Sequence, residues 1–223
     1  MRKSHVFTRT CILVLLCAGF VCLGCTTIVP VSATIGDSVY LRLQANKREA
    51  VAIHVVSHIR DGEVAVMNER STKRTGKIRV NQGTALRFML SDYMTIRFPN
   101  ISQNANAHIR IILKDFSVRD WDTTPTSVKA IGFAVNVLRV MRDKDTIDLV
   151  DEARMVSVRL TGTMEYTAPD GTTTTRPLVV TTEGAYADSF ASGTSVATLS
   201  RVINDANNRL LMQLNIYFDE LKI

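Results

Sequence analysis

Beyond Cys25 the sequence contains no cysteine; its four cysteines are Cys11, Cys17, Cys22 and Cys25. Whatever folds after that point has no disulfide and no thiol nucleophile, and draws its stability from a core. After residue 24 there is no second apolar run approaching the about 20 residues that a membrane-crossing helix needs. Aromatic residues make up only 6%, and Trp121 is the single tryptophan. No G-x-S-x-G, H-E-x-x-H, phosphate loop or glycine-rich dinucleotide fingerprint occurs, so the chemistries that show themselves by local spacing have no footing. Excess charge is also scarce. The chain carries +6, and Arg2, Lys3 and Arg9 supply three of those before residue 25. The remainder is mildly basic and gives no electrostatic footprint for nucleic acid.

What the sequence does have begins at its first residue. Residues 1–10 carry Arg2, Lys3 and Arg9 and no acid. Residues 11–24 are apolar or small throughout, and Pro30 closes the region. A basic segment followed by a short apolar run has the form of a signal peptide. The run is too short to span about 30 Å of hydrocarbon comfortably. Its end, Cys22-Leu23-Gly24-Cys25, resembles a bacterial lipobox, with Cys22 where Leu is typical. That resemblance implies cleavage after Gly24, a thioether-linked diacylglycerol on Cys25 and acylation of the new amine. Thr26 follows, and a residue other than Asp there implies sorting to the outer membrane. The competing reading is ordinary cleavage after Val31-Ser32-Ala33, which releases a soluble protein starting at Thr34. On the lipidation reading all four cysteines are accounted for. Residues 1–24 are then the signal, 25–36 the lipidated N-terminus and tether, and 37–223 one domain.

Residues 39–43 read as a short strand, and residues 50–59 as a buried, β-branched one. Residues 68–79 carry Arg70, Lys73, Arg74, Lys77 and Arg79 against Glu69 alone, and read as a solvated basic loop, with a patch that touches acidic lipid headgroups or a polyanionic envelope polymer as the functional alternative. Leu86, Met89, Leu90, Tyr93 and Ile96 recur at helical spacing over 83–98, and Pro99 stops the pattern. Residues 107–118 and 128–140 read as strands. Residues 154–166 alternate cleanly: Val156, Val158, Leu160, Met164 and Tyr166 against Ser157, Arg159, Thr161, Thr163 and Glu165, one dry face and one wet. Ala168-Pro169-Asp170-Gly171 is a turn, and 178–187 the returning strand. Residues 194–220 form a long amphipathic helix with Val196, Leu199, Ile203, Ala206, Leu210, Leu214 and Phe218 inward. Asn204, Asp205, Asn207, Asn208 and Arg209 form its wet face. The expected fold is α+β: an antiparallel β-meander covered on one face by two helices, the second a long C-terminal helix.

This layout resembles the small envelope lipoproteins of the YajG type. The likeness lies in the lipobox, the early strand, the helix ending near Phe98 and the C-terminal unit. That unit comprises Val156-Ser157-Val158-Arg159-Leu160, the Pro169-Asp170-Gly171 hairpin, Gly184-Ala185-Tyr186, and a helix ending Phe218-Asp219-Glu220. The basic stretch and residues 143–151 depart from it. A similar shape occurs in the lipopolysaccharide-assembly lipoprotein. The resemblance supplies no catalytic residues. It implies a membrane-anchored binding or scaffolding subunit of an envelope assembly, facing the periplasm from the outer membrane, with an envelope protein as partner.

Three residue clusters bear on chemistry. His54 and His58 share a face on a strand, but His108 is the one other histidine after residue 25 and no cysteine is available, so no metal site is expected. Asp115, Asp120 and Asp122 flank Trp121, and paired carboxylates near an aromatic residue serve glycoside hydrolysis. An exported hydrolase using these residues is one alternative, and a carrier of an apolar ligand between sheet and helices is another. Trp121, with Arg70, Lys73, Arg74 and Lys77, is the expected contact set. No dissociable cofactor is expected, only the covalent lipid on Cys25.

Overall fold

Alternating apolar and polar residues, set between turn residues with a mechanism, build the longest strands. The computed structural model describes residues 26–43, 45, 50–69, 73–123, 153–187 and 193–223. Strands β5 (Ala107–Asp122), β6 (Ala153–Thr167) and β7 (Thr173–Ala187) pair antiparallel as a meander. The β6–β7 turn forms as its residues dictate. Asp170 accepts from Thr172 N–H at 2.8 Å, and Gly171 takes φ 85°, which a side chain disfavours.

The other half of the sheet was only partly foreseen. It contains β1 (Thr27–Val29), β2 (Val51–Ser57), β3 (Gly62–Asn68) and β4 (Arg74–Val80). The sheet path runs β1-β4-β3-β5-β6-β7, with β2 also on β5. β3 and β4 form an antiparallel hairpin, but β1 runs parallel to β4, and β2 and β3 run parallel to β5. Parallel neighbours need a crossover. Helix α2 (Gln82–Arg97) lies in the connection from the β3–β4 hairpin to β5 and supplies it. The sheet is therefore mixed, and mostly antiparallel by paired length.

Two local expectations are corrected. Residues 39–43 do not form a strand. Helix α1 (Asp37–Tyr40) is a single turn in which Val39 and Tyr40 N–H both donate to Gly36 C=O. The alternation misled because Leu41, though apolar, is 88% exposed. Residues 68–79 were expected to be a loop, but Asn68 belongs to β3 and residues 74–79 to β4, while residues 70–72 lie outside the described residues. The strand expected at 128–140, and the added segment 143–151, lie outside the described residues.

Helix α3 (Gly193–Leu221) and α2 cover one face of the sheet. Most expected inward residues hold: Leu86, Met89, Leu90 and Tyr93 of α2, and Leu199, Ile203, Ala206, Leu210, Leu214 and Phe218 of α3, are buried, while Ile96 and Val196 are half-buried. Phe98 meets the Phe218 ring edge-on at 5.1 Å between centroids, which fixes the two helix ends together. The polar face of α3 is drier than expected. Of its five residues only Asp205 and Arg209 are exposed, and Asn207 is fully buried.

Candidate functional site

Residues 26–36, expected to be a tether, are part of the fold. Thr27, Ile28 and Val29 pair with Ile78, Arg79 and Val80 of β4. Val29 is 1% exposed and Val31 7%, both within the main core. The chain then runs along α3, held by polar side chains at four-residue spacing. Ser200 donates to Pro30 C=O, Asn204 accepts from Ser32 N–H at 2.9 Å, and Asn208 accepts from Gly36 N–H at 2.8 Å. Asn81 accepts from Val31 N–H at 3.0 Å. A Cβ at Gly36 would lie 2.9 Å from the Asn208 amide, so a side chain there would displace that amide from its bond to the strap. The segment is a strap, and its first described residue, Thr26, adjoins Cys25. Gly24 and Cys25 themselves lie outside the described residues.

Sequence reasoning missed the residues that hold the strap. A signal was present: three asparagines in five positions, at 204, 207 and 208, are poor helix formers on a supposedly solvated face. Asn207 does different work. It exchanges hydrogen bonds with Gln82 of α2, 2.7 Å from the Gln82 amide nitrogen to Asn207 Oδ1, inside the core.

The basic residues lie on the β3–β4 hairpin beside the strap. Lys73, Arg74, Lys77 and Arg79 are exposed, while Arg70 lies outside the described residues. Glu63 sits between Lys77 at 3.4 Å and Arg79 at 3.9 Å, and accepts from Thr26 Oγ1 at 3.3 Å. The Lys77 ammonium holds the Glu63 carboxyl below the usual glutamate range. Glu69 pairs with Arg119 of β5 at 3.3 Å. Next to this corner an open groove of about 590 Å³ is lined by Ile28, Pro30, Asp61, Gly62 and Arg79.

The acidic and aromatic candidates do not converge. Past an irregularity at Leu113/Asp115, Asp115 and Asp120 stand on opposite faces of β5. Asp120 is fully buried, receives Arg154 Nη2 and Thr75 Oγ1, and closes the end of the sheet. Asp115 is exposed and Trp121 half-buried. Asp122 ends β5, and its side chain lies outside the described residues. His54, His58 and His108 are all exposed on or beside β2 and β5. Among the described residues, no three His, Cys, Asp or Glu side chains gather as a metal site.

Two features of the sheet were not expected. On the face turned away from the helices, Ser117, Arg119, Ser157, Arg159, Thr181 and Glu183 line a shallow depression of about 220 Å³. Along the outer side of β7, α3 lays side chains over the strand's main chain. Arg209 donates to Thr181 C=O, Gln213 accepts from Val179 N–H at 3.3 Å, and Tyr217 donates to Pro177 C=O at 2.9 Å. These bonds, with Pro177 itself, blunt an edge that would otherwise recruit another strand. Between sheet and helices the described side chains form one continuous core.

No family model and no curated protein matches this chain. Solved structures similar to it include a Xanthomonas campestris protein, XCC0632, assigned to DUF330. That comparison has 8% identity over 88% of this chain and 99% of the other, with a TM-score of 0.42. A minor lipoprotein from Acinetobacter baumannii is 13% identical over 76% of this chain and 92% of its own, with a TM-score of 0.36.

Proposed function

We propose that the protein is a lipid-anchored, non-catalytic binding or scaffolding subunit of a bacterial cell-envelope assembly, held at Cys25. The observation that carries this reading is the strap. Cleavage after Ala33 would remove β1, take Val29 and Val31 from the core and strip the partners of Asn81 and Asn204. Cleavage before Cys25 keeps every described residue in the mature chain, β1 and the strap included. The physics of the fold thus favours the lipobox site over the releasing one. The resemblance of the sequence to YajG-type lipoproteins points the same way, with the outer membrane and the periplasmic side as the proposed address. The covalent diacylglycerol and N-acyl chain are its only proposed prosthetic chemistry. Two or three acyl chains anchor firmly where one does so only marginally.

A binding role is favoured over hydrolysis because Asp120 is committed to Arg154 and faces away from Asp115. It is favoured over an apolar carrier because the layer between sheet and helices is packed with side chains. The surface offered to a protein partner is the sheet face bearing the Arg119–Ser157–Glu183 row. The test is metabolic labelling with an alkynyl fatty acid in a Gram-negative host. The wild-type protein is expected to take up label and partition into detergent, and Cys25→Ser to do neither. Unlabelled wild-type protein in the aqueous phase would refute the reading.

A further inference from the structure

Charge in this chain is segregated. Of the +6 total, Arg2, Lys3 and Arg9 account for three. The stretch 62–80 carries Arg70, Lys73, Arg74, Lys77 and Arg79 against Glu63 and Glu69, which accounts for the other three. The rest of the sequence is electrically balanced. The structure places the described residues of this stretch, 62–69 and 73–80, on the β3–β4 hairpin, beside β1 at the start of the described chain. β1 runs parallel to β4, so going backward from Thr27, opposite Ile78, the chain heads toward Lys77 and the basic turn. Thr26 already touches Glu63, and Cys25 is the next residue, about 3.8 Å away between Cα atoms. Ile28, opposite Arg79, is 68% exposed on the same corner. An apolar side chain among cations, at the point where an acyl-bearing residue joins the fold, has the chemistry of a membrane-facing surface.

We propose that the β3–β4 hairpin, with Ile28 of β1, is a membrane-docking face that binds the phosphate-bearing headgroups of anionic lipids. It thereby fixes how the anchored domain sits on the bilayer. The inference rests on the Cys25 anchor. Without a spacer, the anchor holds the hairpin at the surface, where each cation gains attraction that decays over about 10 Å at moderate salt. The long axis of β5 then points away from the bilayer, and the β6–β7 turn at Asp170 projects outward. Glu63 tempers the attraction without cancelling it, because it is shared between Lys77 and Arg79.

The test uses the full lipidated protein, purified from membranes and reconstituted into vesicles. Once Cys25 is acylated the mature chain has no free thiol, so one introduced cysteine takes a fluorophore uniquely. Ala65→Cys reports on the hairpin, opposite Lys77, and Thr175→Cys reports on β7 far from it. A headgroup-attached quencher is added to vesicles of phosphatidylcholine alone or with a third phosphatidylglycerol. The expected result is strong quenching at position 65 and little at 175, confined to the anionic vesicles and relieved by about 0.5 M salt. Arg74→Glu is expected to lower the docked-to-undocked ratio by at least about fivefold while leaving the circular dichroism spectrum unchanged. If the protein floats with both vesicle types but quenching at 65 ignores lipid charge, the docking face is refuted and the anchor stands. If it floats with neither, the anchor reading falls and the docking inference falls with it.

Discussion

Asn207 and Gln82 show how much a single buried amide pair decides. Both are fully buried and satisfy each other across the α2–α3 interface. Asn207→Ala leaves the Gln82 amide without its partner and is expected to cost about 2 kcal/mol, read as a lower urea midpoint at unchanged slope. Converting both residues to leucine is expected to cost less than the two single losses together, because no orphaned group remains. Asp61 acts at the other end of α2. Asn81, at the helix N-cap, spends its side chain on Val31, so the first turn is capped from outside. Asp61 accepts from Thr84 N–H at 2.9 Å and from the Thr84 hydroxyl. Partial burial raises the Asp61 pKa, but the Thr84 and Gly83 hydrogen bonds and nearby Arg87 more than offset this and hold it below the ordinary aspartate value. A lowered folded-state pKa means that the cap's contribution is complete above about pH 4 and fades as pH falls through the folded value. Asp61→Ala is expected to cost about 1 kcal/mol at neutral pH and to flatten stability in that acid window, measured by urea titration at each pH. Asp170 was readable from sequence because its partner is two residues away. Asp61 and Asn207 were not, because theirs lie 23 and 125 residues off.

Elements follow the same division. The meander and both long helices were legible because their periodicity is local and unbroken. The parallel pairings were not, since nothing in a strand's own residues says which neighbour a crossover will bring. The basic stretch shows the limit well. Its charges suggested a loop, yet Ile78 and Val80 are buried on alternate positions, and Lys77 and Arg79 are the wet face of a strand. Likewise the polar positions of α3 looked solvated, whereas Asn204 and Asn208 carry the strap. Arg209, Gln213 and Tyr217 guard the β7 edge from the same helix. Replacing these three with alanine is expected to leave the helix intact but free the strand edge. Increased self-association on light scattering, with unchanged helical content, checks this, and a monodisperse triple variant would refute the guarding role.

At the scale of the whole molecule the strap links sequence, fold and address. The apolar run and its lipobox-like end, on which the proposed anchor rests, are legible in the first 25 residues. That the fold begins immediately afterwards was not, because Thr26 to Gly36 sets Ile28, Val29, Val31 and Ile35 among Thr, Ser, Pro, Ala and Gly with neither a strand nor a helix period. A chain lacking residues 26–33 loses the burial of Val29 and Val31, each worth about 1.5–3 kcal/mol. It is therefore expected to unfold at clearly lower urea concentration, a large loss for a domain whose total stability is about 5–15 kcal/mol. The measurement that tests the account most directly is the intact mass of the mature protein isolated from a bacterial host, beside Cys25→Ser. The account predicts a chain beginning at Cys25 and carrying acyl chains, with that form lost in the variant. A lipid-free chain beginning at Thr34 would contradict it, because such a protein would have discarded the strand and core residues on which its fold depends.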